Sequence, residues 1–221
     1  MLSIIIPVFN EEKIIFKTIK DIQKINIKKE IIVINDCSTD KSLKEIKKIK
    51  NIILINNKKN IGYGASIKKG IRICKSDQCM IIDGDGTYPA DKIPIFLKKF
   101  RNKNEMIIGK RVIKENRNIN KLLRQSLNLF IFILTLKQSY DANSGMRIFS
   151  KKFVSRFLHL CSDRFSFSTS LTMLYILKKK KIKYIKIAYS KRVGFSKVNL
   201  FFDALKTFKR IIQIYYKIKI K

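Results

Sequence analysis

The sequence predicts an α/β domain with a mainly parallel central sheet and flanking helices. Short, almost wholly apolar runs alternate with longer segments whose apolar residues recur at helical spacing. The connections between successive runs are too long for hairpins, so neighbouring strands must run the same way through helical crossovers. Polar residues collect where the runs end, the edge at which such sheets bind ligands.

Residues 2–8, LSIIIPV, form the first run, which stops at Pro7-Val8-Phe9-Asn10 as a strand buried on both faces would. Between 11 and 24, Ile14, Ile15, Thr18, Ile19 and Ile22 fall on one side of a helix. EIIVIN at 30–35 is the second strand, followed by Asp36-Cys37-Ser38-Thr39-Asp40 and a lysine-rich helix to 50. NIILIN at 51–56 is the third; a glycine-marked turn at 60–64 then leads into a helix to about 74. The fourth strand, 78–82, is broken by Gly84 and Gly86, and Pro89 is placed to open a helix to about 100. Residues 105–109 are the fifth.

The second half is less regular. Residues 120–136 read as an apolar-rich helix, and the polar loop 141–147 opens a short strand followed by a helix to about 160. The run 165–170 precedes a helix to 179, and 182–188 is a strand. Residues 191–197 form a basic, glycine-hinged loop, after which Phe201, Leu205, Phe208, Ile212 and Tyr215 recur at helical spacing among lysines and arginines. No internal repeat or linker divides the 221 residues, which predict one domain.

Charge is the outlier in composition, with 49 Lys+Arg against 16 Asp+Glu and a formal net charge of +33. An anionic partner accounts for it, as does a coding bias that also favours Ile and Asn. The lysines are spread along the chain rather than gathered in an arm, and the aromatics lie mostly in apolar runs, which disfavours a nucleic-acid binder. Cys37, Cys74, Cys79 and Cys161 show no zinc spacing and read as reduced thiols of a cytoplasmic protein. The opening lacks a signal peptide, and no run of about 18 apolar residues predicts a membrane span.

DGDG at 83–86 places Asp83 and Asp85 one residue apart where the fourth strand ends. Two ionised carboxylates this close call for a cation, and their oxygens suit a hard ion such as Mg²⁺ or Mn²⁺. A plain turn is the alternative, since Asp and Gly are common turn residues. Asn10-Glu11, Asp36 and Lys110-Arg111 follow three other strands, so carboxylates and an arginine converge on one rim.

In order and spacing, IIIPVFNEE, VINDCSTD, N-I-G-Y-G-A-S, DGDGTYP and G-K-R resemble family 2 glycosyltransferases, more narrowly the dolichyl-phosphate mannose and glucose synthases and their bacterial polyprenyl-phosphate relatives. LLRQSLN, DANSGMRIFS, RFLHL, FSFSTSLT and KRVGFSK carry the resemblance over about residues 1–200. It implies the A-type glycosyltransferase (GT-A) fold, with 1–111 as the nucleotide-sugar-binding half and 112–221 as the acceptor-binding, membrane-facing half. It further implies that Pro7, Phe9 and Glu11 lie along the nucleotide of a GDP- or UDP-linked sugar and that Asp36 binds its base or ribose side. Asp83 and Asp85 would hold the metal on the diphosphate, with Gly84 allowing close backbone approach. Arg111 would contact phosphate, and Arg192 and Lys197 would close over the diphosphate. Arg111 and Arg124 fall where relatives hold a lipid phosphate, with Lys121 and Gln125 able to substitute for Arg124. Plain readings stand beside these: Phe9 as core, Arg192 and Lys197 as solvated charges, Ser144-Gly145 as a turn.

The implied activity is inverting, metal-dependent transfer of a sugar to a polyprenyl (dolichyl or undecaprenyl) phosphate, with Asp85, Arg111 and Arg124 as the catalytic set. A lipid phosphate is already an anion and needs no strong base. The rival, transfer to a glycan hydroxyl, needs a carboxylate base, and Asp141 is the first to test, unless it serves only its loop. A nucleotide-sugar-binding protein without turnover is the non-enzyme reading. Relatives often continue into hydrophobic C-terminal segments, whereas this sequence ends on a basic amphipathic stretch. The expectation is attachment to an anionic membrane surface on its cytoplasmic face, or to a separate membrane protein. Asn35 stands where many relatives carry a second Asp.

Overall fold

The computed structural model describes residues 1–101, 105–112, 118–194 and 200–219. Its strands are β1 (Leu2–Val8), β2 (Lys29–Asn35), β3 (Ile53–Asn56), β4 (Gln78–Ile81), β5 (Glu105–Val112), β6 (Arg147–Ser150) and β7 (Lys181–Ala188). They form one sheet in the order β3-β2-β1-β4-β6-β5-β7. β6 runs antiparallel to both neighbours, and the other pairs are parallel. The helices are α1 (Ile15–Lys24), α2 (Ser42–Lys47), α3 (Tyr63–Ile73), α4 (Ile93–Lys99), α5 (Asn118–Thr135), α6 (Lys151–Ser155), α7 (Phe167–Leu177) and α8 (Leu200–Lys219).

Isoleucine dominates the central strands, where its branched side chain packs well on a pleated surface. β1 is fully buried, and its alternate residues serve two cores. Ile4 and Ile6 face Ile15, Ile19 and Ile22 of α1 and Phe96 of α4, whereas Ile5 faces Ile67 and Ile71 of α3 with Leu171 of α7. Pro7 is tolerated inside β1 because the ladder with β4 ends at Ile5↔Ile81, so the amide that Pro7 lacks has no strand partner waiting. A third cluster joins α5, α7 and α8 through Leu127, Ile131, Met173, Ile211 and Ile214, with the Phe130 and Phe208 rings edge to face at 5.0 Å. α7 lies between the second and third clusters, which accounts for its burial on all sides.

Two local differences from the sequence pattern have simple causes, and the place of one short strand is added by the fold. α1 begins at Ile15 rather than 11, because residues 11–14 make a turn in which Glu11 O accepts from the amides of Ile14 and Ile15. β5 continues to Val112 because β7 pairs with it along its whole length. The short strand after residue 146 does not extend an edge; it inserts between β4 and β5, so the second half of the chain contributes to the same sheet as the first.

Candidate active site

The antiparallel direction of β6 decides the site. The strands β1, β2, β4, β5 and β7 deliver the segments that follow them to one edge, and β6 delivers the segment before it, 141–146, to that same edge. That segment therefore meets the loop after β4: Tyr88 Oη accepts from the Gly145 amide at 2.6 Å. Ser190, just beyond β7, donates its amide to Thr87 O at 3.1 Å.

Asp83 is half-buried, and Tyr63 Oη donates to its Oδ1 at 2.7 Å. Gly145 backs onto the same carboxylate; a Cβ there would stand 2.0 Å from Asp83 Oδ2, so any larger residue would have to push that carboxylate aside. Burial, with the Asp85 charge alongside, pushes the Asp83 carboxyl up to about 7. Asp85 is buried, and its Oδ1 accepts from the Thr87 amide at 3.1 Å and hydroxyl at 2.7 Å. Arg192, in the segment after β7, reaches Asp85 Oδ2 at 3.5 Å and also pairs with Glu11.

The carboxylate pair fits a hard divalent ion. Both side chains offer only oxygen, and Asp83, whose ionised form is disfavoured first by burial and then by the Asp85 charge, is a carboxylate that a bound cation would stabilise. Among the described residues no third carboxylate, Cys or His completes a cluster with them. The remaining ligand positions would fall to a bound phosphate or to water, the usual arrangement for such ions.

Asp36 is buried at the end of β2. Its Oδ1 accepts from Asn57 Nδ2 and the Ile61 amide, both at 2.9 Å, and its Oδ2 from the Gly62 amide at 2.8 Å. The carboxylate thus anchors the turn that launches α3. Asn35 donates its amide to Asn56 Oδ1 at 2.6 Å, a bond that an ionised Asp at 35 could not make. Pro7 is buried within β1, and Phe9, half-buried, follows it on the rim. A Cβ at Gly84 would lie 3.1 Å from Pro7 O and from Ile15, so the close approach at Gly84 is to β1 and α1.

On the other side of the carboxylates, Arg111 is clamped to Asp141. Its amide and Nε donate to Oδ2 at 3.0 and 2.9 Å, and Nη2 to Oδ1 at 2.7 Å. The guanidinium lies 5.2 Å from the Tyr189 ring centre. Beside this pair is a recess of about 160 Å³ lined by Arg111, Arg124, Gln125, Asn128, Tyr140 and Asp141. Two arginines face one carboxylate there, leaving a net positive charge. Burial and the nearby Arg111 charge both lower the Arg124 pKa, a strain that an anion would relieve.

The sequence pattern of glycosyl transferase family 2 matches residues 3–161. The chain belongs to that family. An uncharacterised protein of Methanocaldococcus jannaschii is 33% identical, over 68% of this chain and 72% of its own length. A dolichyl-phosphate beta-glucosyltransferase of Trichomonas vaginalis is 26% identical over 87% of this chain, which spans 66% of that relative. Among solved structures, glucosyl-3-phosphoglycerate synthase from Mycobacterium tuberculosis, crystallised with UDP, superposes with a TM-score of 0.75 at 13% identity, over 97% of this chain and 80% of that one. The likeness is one of fold, and it gives this family 2 glycosyltransferase the GT-A architecture.

In this glycosyltransferase Glu11, Asp85 and Arg192 meet, as do Arg111 and Arg124, whereas Asp36 is taken up by backbone amides. Lys197 lies outside the described residues. Asp141, considered as a base, has both oxygens engaged by Arg111. Sequence reasoning passed over Tyr63, Tyr88 and Arg147. Tyr63 sits in a motif read for its glycines, and Tyr88 in one read for its carboxylates. Arg147 is fully buried, and its guanidinium donates to Ser168 O at 2.8 Å, to Thr172 Oγ1 and Ala142 O at 3.2 Å, and to Ser144 O at 3.0 Å. It ties segment 141–146 to α7, and nothing in one sequence distinguishes such an arginine from an exposed one.

Proposed function

We propose that this family 2 glycosyltransferase moves a sugar, with inversion, from a nucleotide-diphosphate donor to a polyprenyl phosphate, in a reaction that depends on Mg²⁺ or Mn²⁺. The observation that carries the acceptor assignment is the two-arginine recess beside the paired carboxylates. Arginine grips two phosphate oxygens at once and keeps its charge when partly buried. The name of the dolichyl-phosphate relative supports the same acceptor class.

Asp83 and Asp85 would hold the ion, which neutralises charge on the departing diphosphate. Arg192 already spans Glu11 and Asp85 and is placed to turn its charge towards that diphosphate. Glu11, Phe9 and Pro7 would line the nucleotide, and Asp36 would shape its base side through the turn it anchors. At the acceptor, Arg111 and Arg124 orient a phosphate oxygen that is already anionic, so no proton need be removed. A glycan hydroxyl would require a base, and Asp141 is held by Arg111 on both oxygens.

The outer faces of α5 and α8 fit a lipid-borne acceptor. Leu122, Leu129, Phe132 and Ile133 on α5 and Phe202, Leu205 and Ile212 on α8 are exposed. Among the described residues no helix is long and apolar enough to cross a membrane. The reading is a peripheral enzyme on an anionic cytoplasmic leaflet, its lysines facing the lipid charge.

A donor-by-acceptor screen tests the assignment, using purified protein, Mg²⁺ or Mn²⁺, labelled GDP- and UDP-sugars, and polyprenyl phosphate, polyprenol, a glycan and 3-phosphoglycerate as acceptors. Transfer to polyprenyl phosphate alone is expected. Equal transfer to a neutral hydroxyl would reject the phosphate acceptor.

A further inference from the structure

Tyr63 is the first residue of α3, and its hydroxyl donates to Asp83 Oδ1 at 2.7 Å. Its ring stacks on Phe165, with centres 6.0 Å apart and planes 21° from parallel, so the hydroxyl is held by packing as well as by its own bond. The Gly145 backbone packs directly against the same carboxylate. Asp83 is therefore held by two elements from distant parts of the chain. The turn before Tyr63 is itself fixed: Asp36 accepts from the amides of Ile61 and Gly62, the two residues preceding it.

We propose that Tyr63 is a positioning residue for the divalent ion, setting the plane of the Asp83 carboxylate and linking it, through the turn at 61–62, to Asp36 on the nucleotide-base side. The inference rests on the reading of Asp83 and Asp85 as the metal site. A carboxylate free to rotate loses part of its affinity each time it must be oriented for an ion; a donor fixed by packing removes that cost. The link to Asp36 has a further consequence. A nucleotide that presses on the 61–62 turn also shifts Tyr63, so nucleotide and metal should strengthen each other's binding through protein as well as through their direct contact.

Tyr63→Phe tests this cleanly, because it keeps the ring against Phe165 and removes only the hydroxyl. Mn²⁺ is titrated into the full-length protein by electron paramagnetic resonance, first alone and then with UDP or GDP present. The variant is expected to bind Mn²⁺ about tenfold more weakly, the lower end of the range for lost outer-shell donors. It should still unfold cooperatively, with a melting temperature only a few degrees lower, and its affinity for the nucleotide without metal should match the wild type. Unchanged Mn²⁺ affinity in Tyr63→Phe, while Asp83→Asn loses the ion, would overturn the positioning role alone. Absence of any Mn²⁺ site sensitive to Asp83→Asn in the wild-type background would overturn the metal reading, and this inference with it.

Discussion

At Asp83 the physical chemistry of one side chain yields a pH prediction. Its folded pKa is raised from 3.8 to about 7, so the folded state holds a proton that the unfolded state has already released. Stability from this group is therefore fully present at low pH and is lost as pH rises through about 7. Between about pH 4 and 7 the metal-free protein should lose melting temperature relative to Asp83→Asn. A metal held by Asp83 as proposed would have to displace the same proton, so apparent Mn²⁺ affinity should improve by up to about tenfold per unit until about pH 7 and then level off. Titrations at several pH values check this; a flat profile below pH 7 would reject it. Arg124 is the second residue-scale case, since it lines the recess beside the Arg111–Asp141 pair. Losing a charge-assisted bond of roughly 1.5–3 kcal/mol, Arg124→Ala should raise the acceptor KM, or lower kcat, about ten- to hundredfold. Donor affinity should change little. Arg111→Ala should harm more than one step, because it also frees Asp141.

At the scale of elements, α5 and α8 each divide into an inward and an outward stripe. Ile131, Ile211 and Ile214 are at most 1% exposed, whereas Leu129 and Ile133 are 59% and 63% exposed. The inward stripes pack on α7, so removing α8 would open the third core rather than test its outer face. Leu129→Glu with Ile133→Glu is the sharper experiment. Exposed substitutions of this kind cost within about 0.5 kcal/mol each, so melting should barely move. Sedimentation with anionic vesicles should weaken clearly. Unchanged vesicle binding would leave that stripe to a protein partner.

At the scale of the whole molecule, a formal charge of +33 makes a field that every anionic ligand meets before contact. Nucleotide sugars, polyprenyl phosphates and acidic lipids would all be drawn by it. Binding to acidic vesicles should fall steeply as salt rises from roughly 0.05 to 0.5 M, because the screening length shrinks to a few ångströms over that range. Binding that ignores salt would assign attachment to the apolar faces alone.

Much of this was legible in the chain itself. β1, β2 and β4 announce themselves because a strand buried on both faces must be apolar throughout, a local property. The carboxylates at 83 and 85 were legible for the same reason, since a buried run can end only where polar residues take over. The pairing of Arg111 with Asp141, the clasp of Tyr63 on Asp83 and the burial of Arg147 were not. The first and last depend on β6 entering the sheet antiparallel between β4 and β5, which carries residues 141–146 to the edge where Asp83 stands, and the second on α3 packing so that its first residue meets the loop after β4. Strand pairing is a contact between segments far apart in sequence, and the four residues of β6 carry no mark of their neighbours. Local patterns determined the elements and the polar rim; the order of the strands, set by packing both faces of one sheet, decided which side chains meet there.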